Sequence, residues 1–130
     1  MYQLDASALI AYAKEERGYQ VVEDAMVAGA AVSEVNFLEV VFALRRQGFS
    51  DQEIFQLRSI ITLEFEPFDS RICAAVATLQ FPESNNLSLA DRVCIASAAL
   101  HNREAVTSDE EWSRLQLPIT VSLVRPSRKP

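Results

Sequence analysis

One histidine, one tryptophan, two cysteines and only two lysines (Lys14 and Lys129) occur among the 130 residues. With His101 alone, most histidine-rich metal sites are excluded, as are triads built on several histidines. In ALHNRE, near the end of an expected helix, His101 reads as a C-terminal cap. Cys73 in RICAAVATL and Cys94 in RVCIASAAL are expected on apolar helical faces, as small hydrophobes rather than a disulfide pair. No apolar run is long enough to span a bilayer, and no basic stretch precedes an apolar core at the start, so a cytoplasmic protein is expected. A net charge of −6 argues against a broad nucleic-acid-binding surface. It leaves room for a nucleic-acid enzyme whose acids gather in one cleft with arginines on the rim. The cations suit that role, since arginine forks grip phosphate better than lysine does.

What is present is an alternation of strand and helix signals, in a length that suits one domain. YQL opens a strand and Ser7–Glu16 reads as a helix. A second helix is expected over Tyr19–Ala28, a strand at Ala30–Val32, and a long helix from Ser33 to a C-cap near Gly48. Ser50 and Glu53 form a capping box for a helix over Asp51–Ile61. TLEFEPF alternates as a strand, and Asp69 begins a helix reaching Gln80. FPESNN is a loop, Ser88–His101 a helix, and Ala105–Thr107 and Ile119–Val124 the last strands. Strands separated by helices imply a mainly parallel sheet covered on both faces, an α/β fold. Residues 1–124 form the expected domain, and RPSRKP (125–130) a short basic tail.

Against this background stand isolated carboxylates. Asp5 is the only charge in MYQLDASALIAYA, Glu39 the only one in VNFLEVVFAL, and Asp91, beside Arg92, interrupts LSLADRVCIASAAL. Burying an ionised carboxylate without a partner costs several kcal/mol or more, and a shared divalent cation is the simplest compensation. Asp109 in AVTSDEEW follows a short apolar stretch and joins the set, with Glu110 as a possible substitute. Asp5 and Asp109 follow strands, where ligands of parallel sheets bind, and Asp91 lies in the first turn of its helix. Glu39, spaced with Val35, Leu38 and Phe42, is expected to point inward from the side of its helix. Converging carboxylates raise one another's pKa unless a hard cation such as Mg²⁺ or Mn²⁺ intervenes. Such a site suits phosphodiester hydrolysis.

In this order, LDASALIAY, VSEVNFLEVV, LSLADRVCIASA and AVTSDEEW resemble the blocks of the PIN-domain ribonucleases, most closely the VapC toxins of toxin–antitoxin pairs. The resemblance runs from Tyr2 to Val124. It implies a three-layer α/β/α sandwich and a Mg²⁺- or Mn²⁺-dependent endoribonuclease with Asp5, Glu39, Asp91 and Asp109 as catalytic metal ligands. Ser7, Asn36 and Thr107 match supporting polar positions. A homodimer held in check by a small antitoxin is implied as well.

Each acid except Glu39 also has a local explanation. Asp5 and Asp109 can cap helices, and Ser88 with Asp91 has capping-box spacing. Arg45 and Arg46 read by default as a solvated helix end, with RNA phosphate contact the alternative. Receiver domains and haloacid-dehalogenase-type phosphatases also place an Asp after a first strand, yet both need a lysine that neither Lys14 nor Lys129 supplies. The rival from another class is a non-catalytic PIN-like RNA- or protein-binding module.

Overall fold

The computed structural model of the chain describes residues 1–81 and 86–125. Most of the FPESNN loop and the tail beyond Arg125 lie outside them. Five parallel strands, β1 (Tyr2–Leu4), β2 (Ala30–Ser33), β3 (Leu63–Glu66), β4 (Glu104–Thr107) and β5 (Val121–Leu123), form one sheet in the order β3-β2-β1-β4-β5. Leu4 lies opposite both Val32 and Val106. Strands β1 and β2 carry no charge, and their polar Gln3 and Ser33 are buried because both faces are covered, as the parallel arrangement requires. The chain steps outward from β1 first to β2 and β3, then returns to β4 and β5 on the other side. That reversal makes the carboxyl ends of β1 and β4 the natural crevice of the fold.

Helices α1 (Ala6–Ala13), α2 (Tyr19–Ala28), α3 (Glu34–Arg46) and α4 (Asp51–Phe55) enclose one core with Leu4, Val32 and Val106. On the opposite face α6 (Leu89–His101) and α7 (Glu111–Arg114) pack near β1, β4 and β5, with Cys94, Ile95, Ala98, Ala105 and the buried Trp112 together, and α5 (Ser70–Thr78) packs against α6. These are the expected three layers. The Ser50–Glu53 box is present. Helix α3 ends as Gly48 implied: at φ +92° it lets its own N–H reach the Arg45 carbonyl and that of Phe49 reach Leu44, a Schellman closure.

Some expectations need correction. The helix expected to reach Ile61 stops at Phe55 and tightens into a 3₁₀ turn over Gln56–Ser59. That turn buries Leu57, and its Arg58 forms a two-pronged pair with Glu34 at 2.7 Å while lying over the Phe37 and Phe65 rings. Cys94 is buried as expected, but Cys73 is exposed because α5 buries only Ile72 among its side chains. Within TLEFEPF, Glu64 is exposed and Glu66 is buried. Glu66, 7% exposed, accepts from Gln3 Nε2 at 3.0 Å and from Arg103 Nη1 at 2.7 Å, and Arg103 also donates to Gln3 Oε1 at 3.0 Å. His101 does lie in the last turn of α6, with its Nδ1 2.9 Å from the Ser97 carbonyl and 3.5 Å from Glu66 Oε2.

Gly18 closes the α1–α2 corner at φ +90°, where an added Cβ would stand 2.3 Å from the Val124 carbonyl oxygen. Gly18→Ala therefore combines backbone strain with a backbone clash against the segment after β5. A loss of about 2 kcal/mol or more is expected in urea unfolding, and Gly48→Ala, with open space around it, should lose less.

Candidate active site

The first residue after β1 begins the site. Asp5, 5% exposed, N-caps α1 by accepting from the Ala8 N–H at 2.9 Å. Its other contacts come from hydroxyls: Ser7 Oγ at 2.8 Å and 3.0 Å from the two oxygens, and Thr107 Oγ1 at 2.6 Å. Both hydroxyls are themselves held, Ser7 Oγ accepting from the Ser108 N–H and Thr107 Oγ1 from the Asp109 N–H. Each hydroxyl thereby directs its only proton at Asp5. Even so, burial outweighs these bonds and, with the charge of Asp91 adding to it, pushes the Asp5 carboxyl up to about 6. The site is short of positive charge.

The other acids arrive from three directions. Asp91 sits in the first turn of α6, where its Oδ2 accepts from the Ser88 N–H at 3.0 Å and its own N–H donates to Ser88 Oγ at 3.1 Å. Asp109, exposed beyond the end of β4, accepts from the Glu111 N–H through Oδ1 at 2.9 Å. The capping explanations of Asp5 and Asp91 are thus real features of the structure and coexist with convergence, whereas the N-cap of α7 is Glu110, with no side-chain cap. Asp5, Glu39, Asp91 and Asp109 all line one cleft of about 380 Å³. Glu110 does not; it reaches along α7 to Arg114 at 3.3 Å.

Glu39 differs from its expectation. Helix α3 buries Asn36, Phe37, Val40, Val41 and Leu44, so the face carrying Glu39, Leu38 and Phe42 is open and Glu39 is exposed. Apolar spacing on both sides of a helix leaves its buried face ambiguous, and here the wider stripe won. The carboxylate still borders the cleft, and partial burial followed by the charge of Asp91 raises its pKa, with a hydrogen bond from Asn36 opposing. Asn36, 1% exposed, also donates to the Ala90 carbonyl at 3.1 Å and so ties α3 to α6 beside Asp91. Arg46, for which RNA phosphate contact stood as the alternative to a solvated helix end, lines the cleft too; its i+7 spacing from Glu39 puts it on the same row of the helix.

Among the described residues, no three Asp, Glu, His or Cys side chains are drawn close enough to form a ready metal cluster. The donor set nevertheless fits a hard divalent ion. It is all oxygen, it carries uncompensated charge, and hydrogen bonds occupy only one oxygen each of Asp91 and Asp109. Mg²⁺, which keeps several of its waters and takes only one or two carboxylates directly, suits acids spaced in this way.

The sequence matches the model of the PIN domain over residues 2–117. Among solved structures, the fold resembles VapBC2 from Rickettsia felis bound to a DNA fragment from its promoter, at 17% identity and a TM-score of 0.71, covering 94% of this chain and 97% of that one. It also resembles a toxin–antitoxin complex from Klebsiella pneumoniae, at 21% identity, a TM-score of 0.63 and coverage of 84% and 87%. FitAB bound to an IR36 DNA fragment is similar over 99% of this chain and 100% of that one, at 14% identity and a TM-score of 0.68. Identities this low speak for the fold alone. No curated protein matches the chain. The family match spans nearly every element that brings the acids together, and on that ground the chain belongs to the PIN-domain family.

Proposed function

We propose that this protein is a Mg²⁺- or Mn²⁺-dependent endoribonuclease and the toxin of a VapC-type toxin–antitoxin pair. PIN domains are generally nucleases that use divalent metal ions. The observation that carries the reading is the convergence of Asp5, Glu39, Asp91 and Asp109 on one cleft at the crevice of the sheet. Four separate chain segments supply them, and helix capping alone gives no reason for their meeting. These acids are the proposed metal ligands. A bound divalent ion supplies an acidified water and charge stabilisation on the phosphoryl oxygens.

The protein's own residues prepare that chemistry. Ser7 and Thr107 fix both oxygens of Asp5, so the carboxylate that lacks solvent also lacks rotational freedom. Asn36 sets Glu39 against α6, and the Ser88 cap sets Asp91. Such holding reduces the reorganisation needed at reaction. A small cognate antitoxin is the proposed protein partner, supported by the toxin–antitoxin complexes among the similar folds, and a homodimer the proposed assembly. Among the described residues no helix is long and apolar enough to cross a membrane.

Purified protein is to be incubated with a mixed cellular RNA pool in Mg²⁺, Mn²⁺ or EDTA, with melting measured in parallel. Discrete metal-dependent cuts are expected, with none in EDTA. Silence in every condition, with no metal-induced change in melting, would replace the nuclease by the non-catalytic binding module.

A further inference from the structure

Two neighbouring arginines end α3 in different circumstances. Arg45 is engaged by Asp51, through Nε at 2.8 Å and Nη2 at 3.2 Å. Arg46 is exposed, borders the acid cleft, and forms no ion pair or hydrogen bond among the described residues. Among the described residues it is also the only cation lining that cleft, beside four carboxylates. On α3, Glu39, Phe42, Ala43 and Arg46 follow one another at i, i+3, i+4 and i+7, a continuous row along the cleft wall. Seven residues of helix separate the Cα atoms of Glu39 and Arg46 by about 10 Å. Arg46 is therefore set to meet a different phosphate from the one at the acids. Between them Phe42, 48% exposed, offers a ring to the same cleft.

We propose that Phe42 and Arg46 form a subsite for a nucleotide flanking the scissile bond of single-stranded RNA, Phe42 stacking on its base and Arg46 gripping its phosphate. A planar guanidinium fork matches two phosphate oxygens. Stacking on a side chain requires an unpaired base, which selects single-stranded over duplex RNA. The subsite also answers an electrostatic problem: a cleft of four acids repels a polyanion, and Arg46 provides attraction on the approach path. The inference rests on the nuclease reading and adds to it two residues of this chain, Phe42 and Arg46, that would hold the substrate beyond the acids.

The test compares full-length Asp91→Asn protein, in which the probe should survive, with the same protein also carrying Arg46→Ala, Arg46→Lys or Phe42→Ala. Binding of labelled oligo-U and oligo-A decamers is read by fluorescence anisotropy across a salt series. Arg46→Ala should weaken both decamers about tenfold and flatten the slope of log K against log salt by about 0.7, the share of one phosphate on a single strand. Arg46→Lys should restore the slope but not all the affinity. Phe42→Ala should also cost about tenfold, with the slope unchanged. Both side chains are exposed, so melting should stay near that of the parent.

An unchanged slope in Arg46→Ala would return the guanidinium to the solvated helix end or to a protein contact and overturn the subsite. So would an absence of binding to either decamer at low salt. Metal-dependent cleavage by the wild type, scored separately, tells whether the nuclease reading falls with it.

Discussion

Asp5→Asn should lower RNA cleavage by about a thousandfold or more, the scale on which removal of a principal electrostatic group acts, while raising the melting temperature of the metal-free protein. The second half follows from the raised pKa. The folded carboxyl titrates near 6 and the unfolded one near 3.9, so below about pH 4 both are protonated and the residue contributes no difference. Between the two values the unfolded chain ionises first and stability falls. Above about pH 6 the full penalty, about 3 kcal/mol at most, is present. Asparagine removes the charge and keeps an oxygen for the Ala8 N–H, but its amide must replace one acceptor that Thr107 now uses. The net gain should be about 1 to 2 kcal/mol, or about 3 to 7 °C. Calorimetry in EDTA should show it near pH 8 and lose it near pH 4. Mg²⁺ should then stabilise the wild type and leave Asp5→Asn unmoved. A variant that melts far below wild type at pH 8 would make Asp5 a helix cap and remove the strongest support for the metal centre.

The opposite result is expected from Arg103→Met. Glu66 is also a buried carboxylate, but it has been given a guanidinium at 2.7 Å and an amide at 3.0 Å. Methionine would leave that carboxylate facing Gln3 and His101 only, at a loss of about 3 to 5 kcal/mol in denaturant unfolding. The double variant Glu66→Leu/Arg103→Met should recover much of it, since replacing both partners strands no charge. If Arg103→Met were nearly neutral at pH 7, the pair would contribute nothing and Gln3 would be its own sufficient partner. The two acids form a contrast within one sheet. Glu66 is compensated by the protein, whereas Asp5 is left for something else to neutralise.

Much of this was readable in the residues because it was local. Ser33, Ser50, Asp69 and Ser88 cap the helices they precede, and Gly48 ends α3, since caps are written within four residues of chain. Asp5, Glu39, Asp91 and Asp109 stood out because charge is rare around them. What escaped was set by distant partners. The strand TLEFEPF gives no sign that Arg103, 37 residues away, would draw Glu66 inward. Arg45 and Arg46 look identical until Asp51 takes one of them. The exposure of Glu39 and Cys73 depends on which of two plausible helix faces meets the core, and neighbouring layers decide that.

The hydroxyl that steadies Asp5 most closely comes from Thr107, 102 positions later in the chain. Strands β1 and β4 pair over the same separation, and such non-local pairings form late. During synthesis, Asp5 and Glu39 emerge early but have neither Asp91, Thr107 nor Asp109 to complete the cleft. On the proposed reading, a growing polypeptide should be inert towards RNA until the segment through Asp109 has left the ribosome. For a protein proposed to cut the nucleic acids that surround its own translation, the order of residues is itself a form of safety catch.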